Sequence, residues 1–367
     1  MPPPIDVCVR GAGIVGRTLA LLLAKERLHV GLVQGAAPPP GHSDVRAYAL
    51  NAQSRVILER LRTWPDEAHA TAVLGMEVHG DEGGMVNFRA ADEGVPALAW
   101  IVDVPPLEQR LAEAVKYQPM VEVLEAPQEA PLTVVCEGRT SATRDEFNVP
   151  YQVNLYSQQA IAARFTCEKT HEQVARQWFE DGDVLALLPL GGPAGNSVAL
   201  VWSVQDARAA GLMALPPAEF EAKVAEASHH VLGKMTLASE RAAWPLQLAQ
   251  AQRWCGAGWA LAGDAAHTVH PLAGQGLNLG LADAQALADA LREREYWRSV
   301  GDVKLLRRYE RSRKAAVLAM GLATDGLQQL FARADEPWTL LRNWGMKGFE
   351  FSGPVKHWVA RQAMGRL

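Results

Sequence analysis

The chain has 367 residues, 49% hydrophobic and 21% charged, with a formal net charge of -5 at pH 7. That length can bury a large core and accommodates two interleaved lobes, while the mild acidity supplies no basic field, which argues against nucleic acid as the main partner. The four cysteines, Cys8, Cys136, Cys167 and Cys255, form no CxxC pair, so neither a zinc knuckle nor a disulfide framework is expected and a reducing compartment fits best.

The opening MPPPIDVCV has no basic segment followed by an apolar stretch, so no secretory leader is expected. No run approaches the roughly 18 apolar residues of a spanning helix. A cytoplasmic protein, at most attached to a membrane surface, is the expectation.

IDVCVR has strand character, GAGIVG follows it, and IVGRTLALLLAKE continues with helical spacing. Strand, glycine turn and helix make Gly11, Gly13 and Gly16 a dinucleotide-binding candidate: a tight turn, a bare backbone facing a pyrophosphate, and close packing of helix on strand. The helix start adds unpaired N–H groups and a partial positive charge. An ordinary strand-to-helix turn is the alternative. The next strand, HVGLVQ, should end in an acid that grips ribose hydroxyls, and Gln34 stands there instead. Its amide still bonds a hydroxyl, without the strength that charge adds. A 2'-phosphate is the competing explanation, but no basic residue follows until Arg46.

In SDVRAYALNAQSRVILERL the SD pair is expected to lead into a helix with Val56, Ile57 and Leu61 on its apolar side, and Arg46 at its front. Arg46 alone would read as a solvated charge. Further on, PLTVVCEG is a strand running into Glu137-Gly138. VNLYSQQAIAARF, DVLALLPL and NSVALVWSV read as strands between turn signals, and PPAEFEAKVAEASHHVLG reads as a surface helix whose His229 and His230 are exposed.

ALAGDAAHTVHPLAGQGLNLGLADA is the most informative stretch. WALAG is a strand emerging at Gly263-Asp264, and a long amphipathic helix begins near Asn278. Between them Pro271, Gly274 and Gly276 form a turn whose backbone can approach a flat ligand. A flavin suits it: Asp264 would accept hydrogen bonds from ribityl hydroxyls, and the helix start would stabilise negative charge on the reduced ring. A metal held by His267, His270 and Asp264, or a histidine general base, are alternatives that serve the glycines less well.

GAGIVG, DVRAYAL, the carboxylate-glycine pair and GDAAHTVHPLAGQGLNLGLAD, in this order, resemble the FAD-dependent aromatic hydroxylases that use NAD(P)H and dioxygen. Within that class the chain is similar to the ubiquinone-biosynthesis hydroxylases, the 2-octaprenylphenol hydroxylase-like family. LYSQQAIAARF, THEQVARQWFEDGDVLALLPL and RNWGMKGF with ARQAMG extend the resemblance from about Ile5 to Gly365. It implies an α/β fold: a Rossmann-like FAD-binding domain from residues 1–70, 101–148 and 255–330, an inserted, mostly antiparallel substrate sheet from 71–100 and 149–254, and a helical tail over 331–367. It further implies FAD pyrophosphate at Gly11, Gly13, Ile14, Val15 and Gly16, ribose at Gln34, flavin at Arg46, and the ribityl chain at Gly263 and Asp264. Ring contacts follow at Pro271, Gly274, Gln275, Gly276, Leu277 and Asn278, with Glu137 and Gly138 near FAD and the nicotinamide phosphates.

Implied with it are NADH or NADPH as electron donor, dioxygen, a lipophilic aromatic substrate, and other quinone-biosynthesis proteins as partners. Two departures stand out. Gln34 is uncharged, and Glu137 replaces the family's Asp after a shortened PQEAPLT connection, where one extra methylene displaces the charge. Trp338, Trp344, Phe349, Phe351 and Trp358, mixed with Arg342, Lys347, Lys356, Arg361 and Arg366, suit either packing on the lobes or the inner face of the cytoplasmic membrane. A monooxygenase of a small aromatic acid would need a cation in the sheet, with Arg164 and Arg176 as candidates. A scaffold subunit with little turnover is the other alternative.

Overall fold

The computed structural model describes residues 4–35, 44–80, 84–180, 182–268 and 275–332. His270, Pro271 and Gly274, and residues 333–367 of the expected tail, lie outside them. Numbered in chain order, the described residues form eighteen strands and eight α-helices.

Strands β1 (Val7–Arg10), β2 (Val30–Val33), β8 (Val121–Leu124), β9 (Leu132–Val135), β16 (Cys255–Gly256) and β17 (Trp259–Leu261) form one sheet in the order β16-β17-β9-β1-β2-β8. Every pairing in it is parallel except β16 with β17. Its central strands are apolar runs, as expected of strands covered on both faces. Helix α1 (Ile14–Lys25) packs on this sheet, and α3 (Val104–Lys116) and α7 (Gln275–Arg292) each pack against α1. Leu19 and Leu23 of α1, Leu107 and Leu111 of α3, and Leu281 and Leu287 of α7 share its core with Val7 and Val9. In α3, apolar residues four apart form one buried face, and two prolines occupy the start, where their missing N–H groups have no intrahelical use.

The second sheet is built from β5 (Gly75–His79), β6 (Met85–Arg89), β10 (Tyr151–Cys167), β11 (Val174–Glu180), β12 (Asp183–Pro189), β13 (Ser197–Gln205), β15 (Ala242–Ala251) and β18 (His267–Thr268). They run in the order β18-β15-β10-β13-β12-β11-β5-β6, with β14 (Met235–Leu237) also pairing β10. All its pairs are antiparallel except β11 with β5. Alternation assigns its faces. Ile161, Phe165, Leu185, Leu187, Leu200 and Trp202 pack on one side with Phe220 and Val224 of α6 (Pro217–Ala227) and Leu212 of α5 (Asp206–Ala214). Ala175 and Ala199 lie on the other side, against Val73 and Ile101.

Those last two belong to a third, antiparallel sheet of β3 (Ala47–Leu50), β7 (Ala99–Asp103) and β4 (Ala70–Val73). It stands between the two large sheets, so the divisions expected after residues 70 and 100 fall within it. It also corrects the expectation of a helix behind Asp44. Tyr48 and Leu50 share one face of β3 and Ala47 and Ala49 the other, and α2 (Ala52–Arg60) starts only after Asn51, whose side chain accepts from the Ser54 N–H at 2.9 Å. Asn is among the best residues at such a helix start. The long helix expected from Asn278 starts three residues earlier, at Gln275. The short α4 (Ala142–Glu146) and long α8 (Val303–Ala332) complete the set.

Candidate active site

The three glycines after β1 do different work. Gly11 has φ +108°, and a Cβ on it would lie 2.4 Å from the Cys136 carbonyl oxygen; on Gly16 it would lie 1.8 Å from the Gly11 carbonyl oxygen. Both are demanded by close backbone packing. Gly13 is different: a Cβ there would meet nothing within 4 Å. It precedes α1, whose start has no side-chain cap, so free N–H groups and a bare backbone face open space, as a phosphate requires. Ile14 is buried in the core, and Val15 is wedged against Gly263 and Gly280, where Cβ atoms would lie 3.4 and 2.7 Å from its side chain. This contact joins the first glycine turn to the second. Gln34 lies exposed at the end of β2, the neighbour of β1.

Gly263 has φ +63° and opens the single turn Gly263–Ala265 after β17. Asp264 is half-buried there, and no described residue hydrogen-bonds its carboxylate. Burial pushes its carboxyl up from the usual range, against the pull of His267, Arg139 and Arg46. The turn is held from below by Asp283 of α7. That carboxylate is fully buried; its Oδ2 accepts from the Gly263 N–H at 2.9 Å and from His267 Nε2 at 2.6 Å, and its Oδ1 accepts from Arg313 Nε at 2.6 Å. Burial would raise it, but His267 and Arg313 hold it below the usual carboxylate range. His267 also stacks on Trp254 at 4.8 Å. It is a buried partner of Asp283, and no group of three metal-ligating side chains forms among the described residues. Tyr151, at the start of β10, donates to the Asp264 carbonyl at 3.0 Å and so ties the second sheet to the same turn.

At the front of α7, Gln275 and Gly276 begin the helix and Leu277 packs against the core. The Asn278 side chain is engaged within the protein: it accepts from the Asn51 N–H at 2.9 Å and from Ser54 Oγ at 2.7 Å, and donates to the Ala49 carbonyl at 2.8 Å. These bonds bring β3, with Arg46 and Tyr48, to α7. Arg46 forms a two-pronged pair with Asp44 at 2.8 and 2.6 Å, which raises its pKa further.

Glu137 lies beside Gly11, but its carboxylate turns along α4. It accepts from Ser141 Oγ at 2.7 Å, Thr143 Oγ1 at 2.6 Å and the Thr143 N–H at 3.2 Å. Gly138, with φ +80°, faces open space.

Beside Arg46 a cleft of about 120 Å³ opens between the second and third sheets. Its floor is mostly small and apolar, with Ala162, Ala175, Ala186, Ala199 and Val201; Tyr48 and Trp244 also line it. The two arginines proposed for a carboxylate are otherwise committed. Arg164 pairs with Asp103 at 2.8 Å, and Arg176 pairs with Glu77 at 2.8 Å. Arg176 also pairs in register with Leu187, on the face turned away from Ala186.

Asp283, Arg313, Tyr151 and the structural use of Asn278 were not singled out from sequence. An Asp and an Arg on long amphipathic helices look like solvated charges; Asp283 could have been suspected only from its place among the apolar residues Leu281, Ala284 and Leu287.

Residues 127–322 match the FAD binding domain family. The chain is 30% identical to the 3-demethoxyubiquinol 3-hydroxylase of Escherichia coli, over 99% of both chains, and 29% identical to a ubiquinone hydroxylase of Rhodospirillum rubrum, over 99% of this chain and 90% of that one. Among solved structures, PqsL of Pseudomonas aeruginosa superposes with a TM-score of 0.77 at 20% identity, covering 94% of this chain and 100% of that one. The p-nitrophenol 4-monooxygenase PnpA of Pseudomonas putida superposes at 0.76 with 16% identity, covering 99% and 97%. Fold and glycine-rich site together define an FAD-dependent monooxygenase. NAD(P)H as donor is general to that class. The chain belongs to the FAD-dependent ubiquinone-biosynthesis hydroxylase family.

Proposed function

We propose that this protein hydroxylates the ring of a polyprenylphenol-type intermediate of ubiquinone biosynthesis, with electrons from NADH or NADPH and oxygen from dioxygen. The observation that carries this reading is the apolar, alanine-floored cleft beside Arg46, whose nearby cations are already neutralised by Asp44, Asp103 and Glu77. A neutral ring fits such a wall, and a carboxylated one would have to bury an unpaired charge.

The residues present fit FAD: bare backbone at Gly13, uncapped N–H groups at the start of α1, an amide at Gln34, and an unengaged carboxylate at Asp264. When bound, the flavin supplies the redox chemistry that activates dioxygen for transfer to an electron-rich ring. The chain itself has four tasks. Gly13 and α1 hold the pyrophosphate, Asp264 and Gln34 hold hydroxyls, the small floor of the second sheet orients the ring, and the packed sheets exclude water. No side chain here needs to act as a nucleophile.

The enzyme works at the inner face of the cytoplasmic membrane, where a prenylated substrate dissolves. Support for this is the mixture of aromatic and basic residues over 337–367; no helix among the described residues is long and apolar enough to cross a membrane. The test is NADH and NADPH oxidation by FAD-loaded protein in the presence of a short-chain prenylphenol or a hydroxybenzoate. Stimulation by the prenylphenol is expected. Stimulation by the hydroxybenzoate alone overturns the reading. No stimulation, with retained binding of other quinone-biosynthesis proteins, marks a scaffold subunit.

A further inference from the structure

Besides Arg46, Tyr48 and the ion-paired Arg176, two polar residues line the apolar cleft, and neither side chain has a partner among the described residues. Ser203 is 4% exposed and Gln177 is half-buried; both line the cleft. No described residue hydrogen-bonds the Ser203 hydroxyl or the Gln177 amide. The sheet faces show where they point. Trp202 and Trp178 belong to the core on the far side, so their neighbours Ser203 and Gln177 face the cleft. Gln177 pairs with Ala186, and Ala186 pairs with Val201. Ser203 is two residues beyond Val201, in line with Val184 on one side and with Ala160 and then Trp244 on the other.

With strands about 4.8 Å apart and residues about 3.4 Å apart along them, the two Cα atoms are separated by about 12 Å. That leaves space for one six-membered ring between the amide and the hydroxyl, lying on Ala162, Ala186 and Val201. A ring seated on this wall would take both groups from solvent, and leaving a buried hydroxyl or amide bare is costly. Each can both donate and accept, so the pair suits neutral oxygen substituents, and the committed arginines leave no counter-charge for an acid.

We propose that Gln177 and Ser203 are specificity-determining residues that hydrogen-bond two oxygen substituents, hydroxyl or methoxy, on the aromatic head group. A ring without those oxygens strands both side chains and is rejected, which is how a largely apolar site discriminates strongly. This rests on the reading above that the cleft takes a neutral ring.

Isothermal titration calorimetry of the full-length, FAD-loaded protein tests it with two probes: a 2-methoxyphenol carrying a short prenyl chain, and the prenylbenzene of equal chain length without ring oxygens. The wild type should prefer the oxygenated probe by about tenfold or more. Gln177→Met and Ser203→Ala should each cut that preference several-fold, with prenylbenzene affinity and FAD content unchanged. Equal binding of both probes by the wild type, or full preference in both variants, overturns this assignment alone. Binding of neither probe overturns the neutral-ring reading, and this inference with it.

Discussion

Replacing Asp283 with Asn keeps the size of the side chain but removes one charge and one acceptor. The carboxylate receives three donors, from Gly263 N–H, His267 Nε2 and Arg313 Nε, within 2.6–2.9 Å, and it is wholly buried. An amide can accept on one side only. Its NH₂ must then face either Arg313 or the Gly263–His267 side, donor against donor, and Arg313 keeps a charge with no counter-ion. Breaking a buried pair in this way costs about 3–5 kcal/mol. The assay is urea unfolding of the FAD-free protein, where the midpoint should fall with the slope unchanged. Asp289→Asn, at a pair with Arg292 that is 36–44% exposed, is the control and should cost less than about 0.5 kcal/mol. The pH dependence follows from the lowered pKa of Asp283. A depressed carboxyl contributes stability that is fully present above its ordinary value of 3.8 and is lost as pH falls through the folded value. The gap between wild type and Asp283→Asn should therefore be constant at neutral pH and close in acid. A loss below about 1 kcal/mol at pH 7 would refute the argument that this cluster holds the Gly263 turn.

Three further outcomes are expected. Gly13→Ala should fold as wild type but bind FAD much more weakly, whereas Gly16→Ala, whose Cβ would sit 1.8 Å from a backbone oxygen, should lose about 3 kcal/mol of stability; equal behaviour in thermal melts and flavin titration would show that the two glycines share one role. Asp264→Ala should leave the FAD-free fold intact and remove FAD retention. Because burial raises this carboxyl, its charge opposes folding at neutral pH and that penalty fades as pH falls, so the variant should melt no lower than wild type at pH 7; wild-type flavin affinity would refute its role. Gln34→Glu should tighten FAD binding by about fivefold, the difference between a neutral and a charge-assisted hydrogen bond, and unchanged affinity in the same titration would place the ribose elsewhere.

What could be read from sequence follows from how local each signal is. The turn at Gly11–Gly16 is a local event, since strand, glycines and helix adjoin, and the apolar runs of β12 and β13 between turn residues mark themselves as strands. The strand β3 was hidden because four residues carry too little pattern beside a helix of nine. The direction of the Glu137 carboxylate depended on Ser141 and Thr143, which have no counterpart in a two-residue motif. Asp283 and Arg313 are 30 positions apart and meet only because α7 and α8 pack together. Gln177 and Ser203 look like unremarkable strand residues until the pairing of β11, β12 and β13 is known.

The wedge of Val15 between Gly263 and Gly280 carries a consequence for how such a protein diversifies. About two hundred and fifty residues separate Val15 from Gly263 along the chain, yet one isopropyl group sets the gap between the two turns proposed to hold the dinucleotide. The second sheet, threaded between them and proposed to face the substrate, can be lengthened, trimmed or recarved without altering that spacing, so long as β9 stays between β1 and β17. New ring specificities can thus arise on an unmoved redox platform, whereas a bulkier side chain at 15 should spoil every one of them at once.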